Sequence, residues 1–73
     1  MSRETLDLRG LTPPEPLVRI LSALAALGKD DEFEAILPHA PVPLYELLRE
    51  RGGVWETLAD EPGRFVLLVK RGP

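Results

Sequence analysis

Asp7-Leu8-Arg9-Gly10-Leu11-Thr12-Pro13-Pro14-Glu15-Pro16-Leu17 is where a strand gives way to a helix. Upstream, Thr5-Leu6-Asp7-Leu8 alternates polar and apolar residues, the pattern of a half-buried strand with Leu6 and Leu8 inward. Arg9 and Gly10 end it. Thr12 and Glu15 stand at the spacing of a capping box before an apolar run. Pro13 then falls at the first helical position, where its missing N–H costs nothing. Pro16 removes one intrahelical bond under that numbering, so a start one or two residues later is the alternative. Downstream, Leu17, Ile20, Leu21, Leu24 and Leu27 make one apolar stripe at spacings of three and four. The helix is expected to reach about Leu27, with Gly28 as a left-handed cap and Lys29 beside the negative end.

The remaining chain keeps this alternation of elements. Glu32 to Leu37 reads as a second strand, with Phe33, Ala35 and Leu37 on one face and Glu32, Glu34 and Ile36 on the other. Pro38 to Pro43 is proline punctuation. A shorter helix follows, with Leu44, Leu47 and Leu48 as its apolar side, and Gly52-Gly53 stops it. Val54 to Leu58 is a third strand. Glu61-Pro62-Gly63 marks a hairpin turn, and Arg64 to Lys70 is a fourth strand, apolar on both faces and therefore internal. The order strand-helix-strand-helix-strand-strand predicts right-handed crossovers between parallel strands and a closing antiparallel hairpin. Two helices cover one face of four strands. The fold class is α+β, a two-layer α/β sandwich with a mixed sheet.

Seventy-three residues, read as a single domain over 1–73, leave room for one small core. Such a core supplies only ~3–5 kcal/mol without a staple. There is no cysteine and only one histidine, so neither a disulfide nor a zinc motif can serve. With 44% hydrophobic and 29% charged residues the chain is expected to fold. The net charge of −3 disfavours nonspecific nucleic-acid binding, which needs a basic patch. No run spans a membrane and Met1-Ser2-Arg3-Glu4 is no signal peptide, so the expected location is the cytoplasm. Absent Asn, Gln and Cys, abundant Pro, and Arg favoured over Lys match a thermophile or a GC-rich genome.

Leu6-Asp7-Leu8-Arg9-Gly10-Leu11 followed by Pro14-Glu15-Pro16-Leu17 resembles the opening motif of the TusA/SirA/YedF group of small bacterial sulfur carriers. Their pattern is an apolar-Asp-x-Arg-Gly-x-x-Cys-Pro-x-Pro run. Here Pro13 occupies the cysteine position. Persulfide relay needs a thiolate, so the group's activity does not carry over. The chain resembles instead a cysteine-less, uncharacterised branch of that superfamily. In that branch a Pro-His-x-Pro-x-Pro-Leu run recurs, here Pro38-His39-Ala40-Pro41-Val42-Pro43-Leu44. Its members occur alone or beside haemerythrin-like and other redox-associated domains. The resemblance implies the sheet order 1-2-4-3, which agrees with an internal fourth strand.

The carboxyl ends of the parallel strands share one sheet edge, where open α/β sheets tend to bind ligands. Arg9, Thr12, Glu15 and His39 are the candidate ligand-binding residues there, with Asp60 and Glu61 brought to the same end by the hairpin. His39 could serve as a base, a metal ligand or a pH sensor. The plainer reading, a ring that bonds a neighbouring group and stiffens the proline loop, is preferred. Arg9 could clamp an anion, but the prolines delete helix donors, and a salt bridge to Asp7, Glu15 or Asp60 is preferred. On the sheet face away from the helices, Val66, Leu68 and Ile36, with Trp55 nearby, are the candidate interface. Phe65, Leu67 and Val69 are expected to meet the helices.

The leading expectation is a noncatalytic sulfur-carrier-like domain acting as a protein-interaction or regulatory module, in a redox or respiratory setting. It is expected to hold no cofactor and no metal beyond what His39 alone could ligate. It is expected to self-associate or dock a protein partner. One alternative is a small-ligand or metal-binding module on the Arg9/Glu15/His39 edge. The other is a nucleic-acid binder, by fold analogy with the C-terminal domain of a bacterial translation initiation factor. A clustered basic face of Arg64, Lys70 and Arg71 would favour nucleic acid. A pocket holding His39 would favour a ligand, and a broad apolar open face a partner.

Overall fold

The computed structural model describes residues 3–72. Met1 and Ser2, which open the stretch read as no signal peptide, lie outside them, as does Pro73. The elements are β1 (Arg3–Asp7), α1 (Glu15–Ala26), β2 (Glu32–Leu37), α2 (Val42–Glu50), β3 (Gly53–Glu61) and β4 (Arg64–Arg71). The four strands form one sheet in the order β1-β2-β4-β3. β1 lies parallel to β2, and β4 runs antiparallel to both β2 and β3. The expected α+β architecture and strand order are those observed.

Pairing register explains the core. Phe33, Ala35 and Leu37 of β2 stand opposite Val69, Leu67 and Phe65 of β4. All six are buried on the face that meets Ile20 and Leu24 of α1 and Leu44 and Leu48 of α2. The period of two in the strands and the spacing of four in each helix bring these residues to one layer. At the hairpin, Pro62 supplies a fixed φ and Gly63 the positive φ of 75° that the next turn position requires. No helix among the described residues is long and apolar enough to cross a membrane.

Three local expectations are corrected. The capping box does not form: α1 starts at Glu15, Pro14 is the N-cap, and no side chain caps the helix. Pro13 and Pro14 lie ahead of the first turn, and Pro16 takes the tolerated early position. The Thr12 carbonyl accepts from the Glu15 N–H at 2.9 Å instead. At the other end of α1, Gly28 is not left-handed, and Leu27 leaves the helix in an extended conformation. The cation at that end is Arg71 of β4 rather than Lys29. Its Nε donates to the Leu27 carbonyl at 3.1 Å and its Nη2 to the Leu24 carbonyl at 2.7 Å. A guanidinium from a distant strand thus serves the carbonyls at the helix end, that of Leu24 alongside the Leu27 N–H. Arg71→Ala should lower the urea unfolding free energy by about 1–2 kcal/mol, with Arg71→Lys recovering only part, because an ammonium cannot fork. An unchanged urea midpoint would show that water serves these carbonyls equally well.

The open sheet face is also corrected. Val66 and Leu68 point away from the helices, as expected, but they are only 3% and 5% exposed. Leu68 lies between Glu34 and Glu56, and Val66 between Ile36 and Ala59. Arg3 bridges Glu32 and Glu34, and Lys70 reaches Glu32 at 3.8 Å. Long charged side chains cover short apolar ones with their stems. Ile36 is half-buried, between Asp7 of β1 and Val66 of β4. Trp55 is on the opposite face, opposite Val69 in register and stacked on Tyr45 of α2 with ring centroids 5.4 Å apart. The four residues therefore form no contiguous exposed apolar surface.

Candidate functional site

Asp7 stands opposite Ile36 and Leu37 opposite Phe65, so the β1 and β2 exits and the β3–β4 hairpin share one end of the sheet. Arg9 and His39 lie at that end. The chain leaves β1 through Gly10, whose φ of 89° few other residues adopt, and enters α1 through prolines. It leaves β2 through Pro38 and enters α2 through Pro41 and Pro43. The two helix starts flank a groove of about 280 Å³ floored by Ile20, Leu37 and Leu44. Six of the prolines among the described residues line it: Pro13, Pro14, Pro16, Pro38, Pro41 and Pro43. Of its lining side chains, His39 alone is polar.

The other candidates do not join His39. Arg9 is tied to Asp7, its Nε and Nη2 donating to the two carboxylate oxygens at 3.0 and 2.9 Å. Glu15 pairs with Arg19 one turn along α1 at 3.1 Å. Thr12 is exposed and contributes its backbone carbonyl to the turn. Neither Arg9, Thr12 nor Glu15 lines the groove. His39 is exposed, and its Nδ1 lies 3.3 Å from the Ala40 carbonyl. Among the described residues no three His, Cys, Asp or Glu side chains are grouped to hold a metal ion. The basic cluster does not assemble either. Arg64 pairs with Glu61 and sits about 20 Å along β4 from Lys70, while Arg71 caps α1.

Asp7 shows what the Arg9 pairing does electrostatically. Hydrogen bonds from the Arg9 side chain and backbone hold its carboxyl at about 2, against an ordinary 3.8. A carboxyl depressed in the folded state adds stability above its unfolded value and loses it as pH falls towards the folded one. The Asp7 carboxyl should therefore titrate near pH 2 by NMR, and stability should decline between about pH 4 and pH 2. The pair is fully exposed, so salt should weaken the effect. Asp7→Asn should remove this part of the acid dependence. A carboxyl titrating near 4 would refute the pairing.

Sequence reasoning missed the groove itself. Its signal was present in the two proline-dense segments, Pro13 to Pro16 and Pro38 to Pro43. Each was read as punctuation of its own helix. Only the parallel pairing of β1 with β2 sets them side by side. The Tyr45–Trp55 stack was also missed. Burial, with Asp60 adding to it, pushes the Tyr45 hydroxyl pKa up.

Comparison with known proteins agrees with this geometry. A family described as an uncharacterized conserved protein, DUF2249, matches residues 5–71. Two proteins of Neisseria meningitidis, from serogroups A and B, are named as candidate sulfur carriers. Each is 32% identical to the chain, covering 96% of it and 97% of the relative. The crystal structure of a SirA-like protein from Desulfitobacterium hafniense superposes with a TM-score of 0.78 at 23% identity, covering 96% of this chain and 99% of that one. At that identity the likeness shows the fold. A shared fold, a family match over nearly the whole chain and a proline at the expected thiol position lead to one assignment: the chain belongs to the DUF2249 family and is a cysteine-less, TusA/SirA-like, sulfur-carrier-like domain.

Proposed function

We propose that this domain is a thiol-free interaction module that docks a partner protein through the proline-lined groove. The observation that carries the reading is Pro13 at the rim of an apolar groove, in the place where the sulfur-carrier pattern has cysteine. The position that would present a nucleophile presents a rigid apolar ring instead. Desolvating such a surface favours association without any chemistry. The redox or respiratory setting rests on the family resemblance alone.

His39 in the groove favours a second reading, a small-ligand site. Size counts against a cofactor, since ligand pockets usually run from about 300 to 1,000 Å³. At about 280 Å³ the groove falls just below that range, and its rim residues Pro13 and His39 are exposed, which suits one side chain of a protein better than an enclosed molecule.

The test uses the tagged protein in its native host. A partner co-purifying in fixed ratio should be lost from Pro43→Asp and kept by Glu56→Lys on the open sheet face. The loss expected for a central interface contact is about 2 kcal/mol or more, roughly 30-fold in affinity. A partner retained by Pro43→Asp and lost from Glu56→Lys would move docking to the sheet and sink the proposal.

A further inference from the structure

We infer that the groove is selective for one kind of anchor, a Trp or Tyr side chain of the partner, with its ring N–H or O–H donated to His39. The inference rests on the docking reading above and adds the chemistry of the occupant. Charge is the first discriminator. Among the described residues no charged side chain lines the groove. The helix starts beside it hold few free donors. Pro13, Pro14, Pro16, Pro41 and Pro43 have no N–H. The Glu15 N–H is engaged by the Thr12 carbonyl, that of Val42 by Ala40, and that of Leu44 by Pro41. The donors that make a helix start an anion site are mostly absent or engaged. An anionic group entering here would give up water without replacement, so the occupant is uncharged.

Shape and polarity narrow it further. Proline rings offer flat, rigid faces of C–H groups, and aromatic rings pack on such faces. Pro-rich segments docking into aromatic-lined grooves show the same complementarity with the roles exchanged. The single polar group then fixes the ring's edge. The Ala40 carbonyl can only accept, so in that contact Nδ1 of His39 is the donor, and in the neutral ring Nε2 is then the acceptor. An indole N–H or a phenol O–H can donate to it, whereas a phenyl ring brings no donor.

A second folded copy is a poor source of the anchor. The chain has two Phe, one Tyr and one Trp. Phe33 and Phe65 are buried, and Tyr45 and Trp55 are stacked on each other. An anchor from a second copy would have to leave the core or break the Tyr45–Trp55 stack, which favours a ring from a different protein.

The experiment is an NMR titration of the whole chain with indole, N-methylindole and inorganic phosphate, following the methyl groups of Leu11, Leu17 and Leu44. Indole should give saturable shifts confined to these methyls, and phosphate none. N-methylindole should bind about fivefold more weakly, the worth of one neutral hydrogen bond. That preference should vanish in His39→Ala. Pro43→Asp should abolish the shifts while the helix is kept, because a carboxylate is favourable in a first turn. Should that variant not fold, Leu11→Ser serves in its place. Saturable phosphate binding, indole shifts spread over the Val66 and Leu68 face, or an indole preference that survives His39→Ala would each overturn the inference. Indole failing to bind while partner capture still depends on Pro43 would remove the inference and leave the docking reading. Indole binding in the groove while capture ignores Pro43 would do the reverse.

Discussion

Leu67→Ala leaves the protein largely unfolded at room temperature. Leu67 is fully buried on β4, opposite Ala35 of β2 and Thr57 of β3, at the centre of the core shared by both helices. Truncating a fully buried leucine costs about 2–5 kcal/mol through lost transfer energy and the cavity left behind. A domain of this size is expected to have only about 3–5 kcal/mol in total. With Ala35 and Thr57 as its strand neighbours, the site has few large side chains able to collapse into the space. Circular dichroism and amide NMR dispersion should both report the loss. Leu68→Ala, one residue along, is the internal control. Its side chain lies on the open face beneath Glu34 and Glu56, where stems and water can close over the gap. About 1 kcal/mol is expected there. Equal losses at both positions would contradict the one-sided core.

Offered sulfur by a cysteine desulfurase, the protein keeps its unmodified mass. Sulfane sulfur travels between proteins as a persulfide, formed when a thiolate attacks a sulfur already bound to a donor. This chain has no thiol at any position, and Pro13 stands where the sulfur-carrier pattern has one. No other side chain of the groove is a nucleophile toward sulfur, since His39 is its sole polar member. The expected effect is complete absence of transfer, beside a thiol-bearing carrier run as positive control. Intact-mass spectrometry after desalting, with and without reductant, reads it directly. A reductant-labile sulfur adduct that passes on to an acceptor thiol would overturn the thiol-free reading and place the chain among functioning carriers.

Partner docking, if it uses the groove, needs none of this sulfur chemistry. The open sheet face is less suited to it. Arg3, Glu32, Glu34 and Lys70 make that surface a network of opposite charges above a thin apolar layer. Such networks keep a sheet face soluble and discourage flat association.

Periodicity determined the elements and their order along the chain, while the sheet order came from the family resemblance. The apolar stripe from Leu17 to Leu27, the alternation in Glu32 to Leu37 and the doubly apolar run from Phe65 to Val69 are local patterns. Each is tied to the repeat of its own element, so it is legible without knowing the neighbours. The density of the Leu6 to Leu17 motif likewise identified the superfamily, and Pro13 announced the missing thiol. Contacts between distant parts of the chain were not legible in this way. Nothing near Gly28 reveals that Arg71, 47 residues from Leu24, caps α1. Alternation placed Val66 and Leu68 on the open face but could not show that Glu34 and Glu56 flank Leu68 there, because register sets cross-strand neighbours. The groove is the mixed case. The expected parallel pairing of β1 with β2 already brought the Arg9 and His39 loops to one edge, but side-chain packing alone decided that prolines from both segments line an apolar groove there, without Arg9, Thr12 or Glu15.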